Sequence, residues 1–193
     1  MGNPADSARK IVAVSALIFG VVVGSAAVAC PAPDQLRASS LDRAFTQEKF
    51  VSGMSKPLKS EGRIIANGDE IVWHMKKPFD VKTTITPDGI SQSVDGKPAE
   101  ASGGGSAEIG AVVAKSMAAM MRGRWSDLKT MFSVTLPSSP GEGGWLVILT
   151  PLDERLQSLL GTIAVHGCSD VSDVEIVRPD GDRESVHFDD YSR

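Results

Sequence analysis

The sequence predicts an α+β fold in which an antiparallel sheet takes up most of the chain. Short segments rich in β-branched and aromatic residues recur along it, separated by turn sequences such as Asn67-Gly68. Most of these segments follow one another without a helix between them, which favours antiparallel neighbours. One longer stretch has apolar residues at helical spacing. With 193 residues, of which 41% are hydrophobic, the chain is large enough for one domain with its own core.

The N-terminal residues indicate export. Arg9 and Lys10 precede an uncharged run, residues 11–29, which ends in small residues immediately before Cys30. This order of positive charge, apolar run and Ala-x-Ala ending is typical of a secretory signal peptide. We therefore expect residues 1–29 to be removed and residues 30–193 to form the mature domain. The run is also just long enough to be an uncleaved membrane anchor.

Two cysteines, Cys30 and Cys168, are too few for a disulfide-rich scaffold or a four-cysteine zinc site. The position of Cys30 after the small residues allows three interpretations. Cys30 is the lipid-modified first residue of a lipoprotein, or it forms a disulfide with Cys168 in an oxidising compartment, or it simply follows the cleavage site. The sequence leaves all three open.

The first element expected after the signal is a helix over residues 34–45. Leu36, Leu41, Ala44 and Phe45 stand near helical spacing, and Asp34 is placed to cap the start.

Five strands are expected next, in "TQEKFV", "EGRII", "EIVWHM", "DVKTTIT" and "ISQSV". In the third of them, Ile71, Trp73 and Met75 alternate onto one side, and we expect that side to face inward. The glycine-rich sequence "GKPAEASGGGS" then marks a flexible connection.

The longest helix is expected over residues 107–123. Its apolar residues form one stripe, made by Ile109, Val112, Val113, Met117, Met120 and Met121. Methionine adapts to varied apolar shapes, so the stripe suits either an ordinary core or the wall of a cavity. Further strands are expected in "FSVTL", "GWLVILTP", "LLGTIAVHG", "DVEIVRP" and "ESVHF".

Several segments resemble, in the same order, those of the LolA-type outer-membrane lipoprotein carriers. "FTQEKFV" looks like the family's F-x-Q segment, and "PLKSEGRI" is similar to its strand with S-x-G. "EIVWHMKKPF" matches its W-x-x-x-x-P pattern with Trp73 and Pro78. Downstream, "GWLVILTP" and "VEIVRPDGDRESVHF" resemble a later strand and the closing hairpin. The resemblance runs from about residue 35 to the C-terminus.

The resemblance implies an incomplete antiparallel β-barrel, a curved sheet whose concave face is covered by helices, with an apolar cavity for acyl chains. The residues expected to line this cavity are Ile71, Trp73, Met75, Ile109, Val113, Met117, Met120 and Met121. The implied protein is a carrier in the periplasm of a Gram-negative bacterium, which takes acyl chains of lipoproteins or related lipids from an inner-membrane exporter to an outer-membrane acceptor. The alternative is a LolB-like receptor or envelope lipoprotein tethered through Cys30.

The sequence departs from the lipoprotein carriers at one place. Those carriers have Arg-Pro in the hairpin before the tryptophan, where the arginine latches the lid, whereas this chain reads "IIANGDEIVW". Arg63 is the nearby candidate for that latch. The departure bears on lipoprotein shuttling more than on lipid binding.

Composition and motifs give little support to other functions. A net charge of −4 and a pI near 5.4 argue against nucleic-acid binding. A hydrolase or metal site built on His166 and Cys168, with Asp170 or Asp173 as the third group, is the weakest hypothesis. Because neither a G-x-S-x-G elbow nor a Walker loop occurs, we expect no enzymatic activity, cofactor or metal.

Overall fold

The computed structural model describes residues 30–36, 40–86, 88–99, 116–136 and 144–189. Over these residues, eleven strands form one antiparallel sheet and the helices are few and short. The helical segments are the 3-10 turns Pro33–Gln35 and Trp125–Leu128, helix α1, described over residues 116–121, and helix α2 (Glu154–Leu160). The predicted class, an α+β fold with an open antiparallel sheet, is confirmed. The strands are β1 (Ser40–Phe50), β2 (Leu58–Asn67), β3 (Glu70–Lys77), β4 (Val81–Thr86), β5 (Gly89–Val94), β6 (Lys97–Ala99), β7 (Phe132–Thr135), β8 (Trp145–Pro151), β9 (Thr162–Gly167), β10 (Val171–Val177) and β11 (Arg183–Phe188).

The sheet is open, and its strand order is β6-β5-β4-β3-β2-β1-β11-β10-β9-β8-β7. Consecutive strands pair with each other within two meanders, β1–β6 and β7–β11, while β6 and β7 are the two edges of the described sheet. The pairing of β1 with β11 joins the two meanders into one sheet. We call the end of the sheet where β1 finishes and β2 begins the rim. The β3–β4, β5–β6 and β10–β11 connections and helix α2 lie at this same end.

One face of the sheet, here called the inner face, carries the core. Side chains alternate between the two faces along each strand, and Ile64, Ile71, Val147 and Val165 on the inner face have no exposed surface. The same core includes buried residues of the helical segments, namely Ala119, Met120, Met121, Trp125 and Leu128. The described part of α1 and the turn after it therefore lie on the inner face.

The prediction of a helix over residues 34–45 is wrong. Only the 3-10 turn Pro33–Gln35 is helical, and β1 already begins at Ser40. In β1, Arg43 and Phe45 are buried while Asp42 and Thr46 are exposed, which is strand alternation. Because β2 and β11 flank β1 on both sides, pairing with distant segments outweighs the local helical spacing.

Two short elements are absent from the predictions. Helix α2 begins after Asp153, whose carboxylate accepts hydrogen bonds from the backbone N–H groups of Arg155 and Leu156, and it ends at Gly161 with φ of 59°. Strand β6 falls within the sequence expected to be a flexible connection. As an edge strand, β6 tolerates Pro98.

The end of α1 is fixed by a glycine cap. The N–H of Arg124 donates to the carbonyl of Ala119 and the N–H of Gly123 to that of Met120, while Gly123 has φ of 64°. This is the Schellman arrangement. A Cβ on Gly123 would lie 2.6 Å from Cβ of Leu36, so the glycine also lets the N-terminal segment pack against the helix end.

A disulfide joins Cys30 to Cys168, with 4.8 Å between their Cα atoms. The bond occupies the sulfur that a lipid anchor at Cys30 would need, so a molecule with this disulfide is not tethered there. It also removes the thiol that a Cys168 nucleophile would need. Beside it, the indole N–H of Trp145 donates to the Cys168 carbonyl and that of Trp125 to the carbonyl of Pro33.

Some sequence predictions lie outside the described residues. These are the signal over residues 1–29, the cavity positions Ile109 and Val113, and most of the glycine-rich connection. Among the helices of the described ranges, none combines the length and apolarity needed to cross a membrane.

Candidate functional site: an open patch beside an aromatic cluster

The strand register places Ile71, Trp73 and Met75 together on the inner face. Trp73 pairs with Ile64 of β2 and Thr83 of β4, so these side chains lie in one cross-strand row. Ile71 is fully buried, whereas Trp73 and Met75 are only partly buried. The inner face therefore becomes more open along β3 toward the rim.

The partly exposed inner-face surface continues from β3 into β4 and β5. On β8 and β9, by contrast, the inner-face residues Val147, Leu149 and Val165 are completely covered. Part of this cover comes from Trp125, whose ring packs edge to face on Trp145. The inner face is thus closed over one meander and open over part of the other. We call the open part the open patch, made by Trp73, Met75, Val81, Thr83, Ile90 and Gln92.

An aromatic cluster lies beside the open patch on the inner face and contains one residue each from β1, β3 and β11. The ring centroids of Phe45 and Trp73 are 4.1 Å apart, and Phe188 meets both rings edge to face at 6.5 and 6.3 Å. Phe45 and Phe188 are buried, while Trp73 is partly exposed. Trp73 is therefore the member of the cluster that can contact a ligand, and its ring is held in place by the other two.

Gly62 makes the contact between Phe45 and Trp73 geometrically feasible. A Cβ at this position would lie 2.6 Å from Cζ of Phe45 and 2.3 Å from the carbonyl oxygen of His74. The missing side chain leaves room for the Phe45 ring to cross β2 and reach β3. Packing of the Phe45 ring therefore explains the glycine of the S-x-G segment, Ser60 to Gly62.

The other two tryptophans have structural roles. Trp125 and Trp145 are 2% and 3% exposed, and each indole N–H donates to a backbone carbonyl. Trp73 makes no such hydrogen bond with any part of the chain that the structure describes. A partly exposed indole beside an apolar core is a surface that an apolar ligand can cover.

Arg43 closes the inner face at the end opposite the rim. It is 4% exposed, and its Nε, Nη1 and Nη2 donate to the carbonyls of Asp189, Val171 and Phe188 at 2.7, 2.5 and 2.9 Å. The guanidinium also lies over the Phe188 ring. Its five donors in a rigid fork allow one side chain to tie β1 to both β11 and β10.

The methionines of α1 divide between core and surface. Met120 and Met121 are buried in the core, while Met117 is partly buried against it. Arg122 at the helix end reaches the β2–β3 turn, with 3.7 Å between Nη1 and a carboxylate oxygen of Asp69. The helix end is therefore held at the end of the sheet away from the rim.

Arg63, the expected latch, lies on the outer face. It is opposite Ala44 and His74 in the register, and its guanidinium pairs with the carboxylate of Asp42. The sheet separates this pair from α1, so the placement does not support a latch between Arg63 and the helix.

A polar network lies on the inner face near the rim. Glu184 accepts hydrogen bonds from Gln47 and Arg178 at 2.7 and 3.0 Å, and Nε of Arg178 donates to the Leu159 carbonyl of α2 at 3.0 Å. This network attaches α2 to the sheet.

The histidine candidates lie on the outer face. Nδ1 of His187 is 2.7 Å from a carboxylate oxygen of Asp173, and His166 is the partner of Asp173 on the next strand. Partial burial works to raise the pKa of Asp173, but hydrogen bonds from His187 and Ser172 bring this pKa below its ordinary value. Among the described residues, no three His, Cys, Asp or Glu side chains are grouped closely enough to hold a metal ion.

Phe45, Phe188, Gly62 and Arg43 are site residues that sequence reasoning did not assign. The signal for Arg43 and Phe45 was their period-two spacing with Gln47, which the predicted helix concealed. Phe188 pairs with Phe45 only through the β1–β11 contact, which has no local sequence signal.

Comparison with known proteins finds similarity in structure but none in sequence. No protein-family model matches the chain, and no curated protein matches it. Among solved structures, the chain is similar to the crystal structure of a LolA superfamily protein from Nitrosomonas europaea, with 8% identity and a TM-score of 0.40. The alignment covers 82% of this chain and 88% of that one.

Proposed function

We propose that this protein is a carrier that binds the acyl chain of a lipoprotein or related lipid on its inner face. The observation that carries the proposal is the open patch: Trp73 and Met75 are partly exposed beside a closed apolar core on the same face of the sheet. The resemblance of the sequence segments to lipoprotein carriers and the export signal support the same function. No catalytic group is needed for it.

The physical chemistry of the patch suits an acyl chain. Burying a chain is worth about 0.8 kcal/mol per methylene, so a dozen methylenes supply roughly 10 kcal/mol before ordering costs are subtracted. Met75 can adapt to a flexible chain, while Thr83 and Gln92, hydrogen-bonded to each other at 3.1 Å, add polar groups to the patch.

In the proposed route, the protein works in the periplasm, receives its cargo at the inner membrane and delivers it to the outer membrane. This route comes from the export signal and the resemblance. The disulfide at Cys30 favours an untethered carrier over the anchored receptor, because the anchored form needs the Cys30 sulfur for lipid.

Binding of a fluorescent fatty-acid analogue to the purified mature domain tests the proposal. The wild-type protein is expected to bind the probe and to release it when a natural acyl lipid is added. Met75→Glu places a charge in the open patch and should abolish binding. Ile65→Glu places the same charge on the outer face, where Ile65 is 39% exposed, and should bind as the wild type does.

Far-ultraviolet circular dichroism is the control for folding, and probe binding is compared only between variants whose spectra match that of the wild type. Equal probe binding by wild type and Met75→Glu would locate the site elsewhere. Absence of binding by the wild type would contradict the carrier function itself.

A further inference from the structure

The exposed large apolar side chains are concentrated at the rim. Eight of the eleven such side chains in the described residues lie there, and only Ile65, Leu136 and Leu146 lie elsewhere. The eight are Phe50, Met54, Leu58, Phe79, Val94, Leu152, Leu159 and Val177. Scattered single exposures need no explanation, but a concentration at one end of the molecule marks an interaction surface.

The charges divide the rim into two halves. Residues 48–61 and 76–82, which form its β1–β4 half, carry six lysines and three acidic residues, a formal excess of three positive charges. The chain as a whole has a net charge of −4. The other half, formed by residues 152–161 and 178–184, contains five acidic residues and three arginines, a formal excess of two negative charges. The positive charge is therefore local to the β1–β4 half.

The basic half presents several strongly exposed apolar side chains. Phe79 is 68% exposed in the β3–β4 connection, and Met54 and Leu58 are 52% and 50% exposed at the β1–β2 connection. Phe50 ends β1 beside them. Lys59 and Lys77 pair with Glu48 and Glu61, whereas the described residues contain no ion-pair partner for Lys56, Lys76 or Lys82.

We propose that this basic apolar rim, made by Phe50, Met54, Leu58 and Phe79 with the lysines around them, docks on an anionic lipid bilayer. Side chains at connection tips can enter the headgroup region while the lysines remain among anionic phosphates. An apolar protein partner would not need the local excess of positive charge. The open patch begins at this same place, since Met75 and Val81 form the last β3–β4 pair before Phe79. Docking would therefore bring the patch to the membrane surface.

Co-sedimentation with lipid vesicles tests the proposal, and it uses the mature domain without added acyl ligand. Wild type is expected to bind vesicles of phosphatidylethanolamine and phosphatidylglycerol, to bind phosphatidylcholine vesicles much less, and to be released by salt. Leu58→Ser with Phe79→Ser should weaken binding by roughly tenfold or more. Ile65→Ser with Leu146→Ser, two exposed apolar residues away from the rim, should leave it unchanged.

A second pair of variants separates charge from apolar contact. Lys56→Glu with Lys76→Glu should also release the protein from anionic vesicles. Arg63→Glu with Arg124→Glu, which changes the net charge equally at two exposed arginines away from the rim, should not. Failure of wild type to bind anionic vesicles would overturn the proposal, and so would unchanged binding by both rim variants. Because the assay needs no acyl cargo, its outcome is independent of the proposed carrier function.

Discussion

The ring of Phe45 lies over Gly62 and contacts Trp73, with 4.1 Å between the ring centroids. This contact joins β1 to β3 across β2 and orients the one tryptophan that is partly exposed on the inner face. The orientation of Trp73 in the open patch therefore depends on Gly62, because the absence of a side chain there leaves space for the Phe45 ring.

Gly62→Ala should destabilise the protein. The added Cβ would meet the carbonyl oxygen of His74 and the ring of Phe45 at distances that real Cβ atoms do not show, so the strands or the ring must move. We expect a loss of about 1–3 kcal/mol in the free energy of unfolding, measured by urea denaturation. A variant as stable as the wild type would show that the Phe45 ring does not pack there.

Trp73 should report ligand binding by fluorescence. The indoles of Trp125 and Trp145 are buried and hydrogen-bonded, so an acyl ligand in the open patch should change the emission of Trp73. Trp73→Phe is expected to remove most of the ligand-induced change while retaining measurable binding by native mass spectrometry. A ligand-induced change that persists in Trp73→Phe would place the ligand near another tryptophan.

Arg43→Met should cost roughly 2–4 kcal/mol of stability, measured by urea denaturation. The substitution keeps an apolar stem of similar length but leaves three carbonyls, those of Val171, Phe188 and Asp189, without these donors. Arg43→Lys retains the charge but not the fork, so it should fall between wild type and Arg43→Met. If both variants were as stable as the wild type, the hydrogen bonds from Arg43 to β10 and to the end of β11 would not contribute to stability.

Removal of the disulfide should lower stability and leave the fold unchanged. The bond closes a loop between residues 138 positions apart, and loops of this size correspond to about 2–5 kcal/mol. Cys30→Ser with Cys168→Ser should unfold at a lower urea concentration, as should the wild type with reductant. If reductant has no effect on the wild type and the intact mass shows an added lipid, Cys30 is an anchor instead.

Asp173 should contribute stability that is lost in acid. Its pKa in the folded protein lies below the ordinary value of 3.8, so the folded state favours the charged carboxylate more than the unfolded state does. That contribution is complete above about pH 4 to 5 and falls as the pH drops through the folded pKa. The difference in unfolding free energy between wild type and Asp173→Asn should therefore shrink from pH 6 toward acid. A difference that does not depend on pH would refute this linkage.

The strands that sequence predicted best have a turn at each end. β3 and β4 are examples, because Asn67-Gly68 and Pro78 delimit them and their apolar residues alternate. Only the second half of β1 was predicted, as "TQEKFV", and its first half was assigned to a helix. The pairing of β1 with β11 joins segments about 140 residues apart in sequence, and a local window contains no trace of such a contact. Helix α2 was detectable, because Asp153 and Gly161 are a normal N-cap and C-terminal glycine.

The sequence predicted only the part of the site that lies on a single strand, β3. The shared face of Ile71, Trp73 and Met75 follows from alternation alone. Which of the three is exposed depends on how far other segments extend over the sheet, and the sequence of one strand does not contain that information. The rim could not be predicted from the sequence either, because only the strand order places Phe50 and Phe79 at the same end of the sheet.

Acyl binding on the inner face can be tested by photo-crosslinking with a fatty acid that carries a photoreactive group near its chain end. We expect the label on the peptides containing Trp73, Met75 and Val81, and we expect unlabelled acyl lipid to compete with it. A label confined to outer-face residues such as Ile65 or Leu146, or one that no acyl lipid displaces, would contradict an acyl-binding inner face.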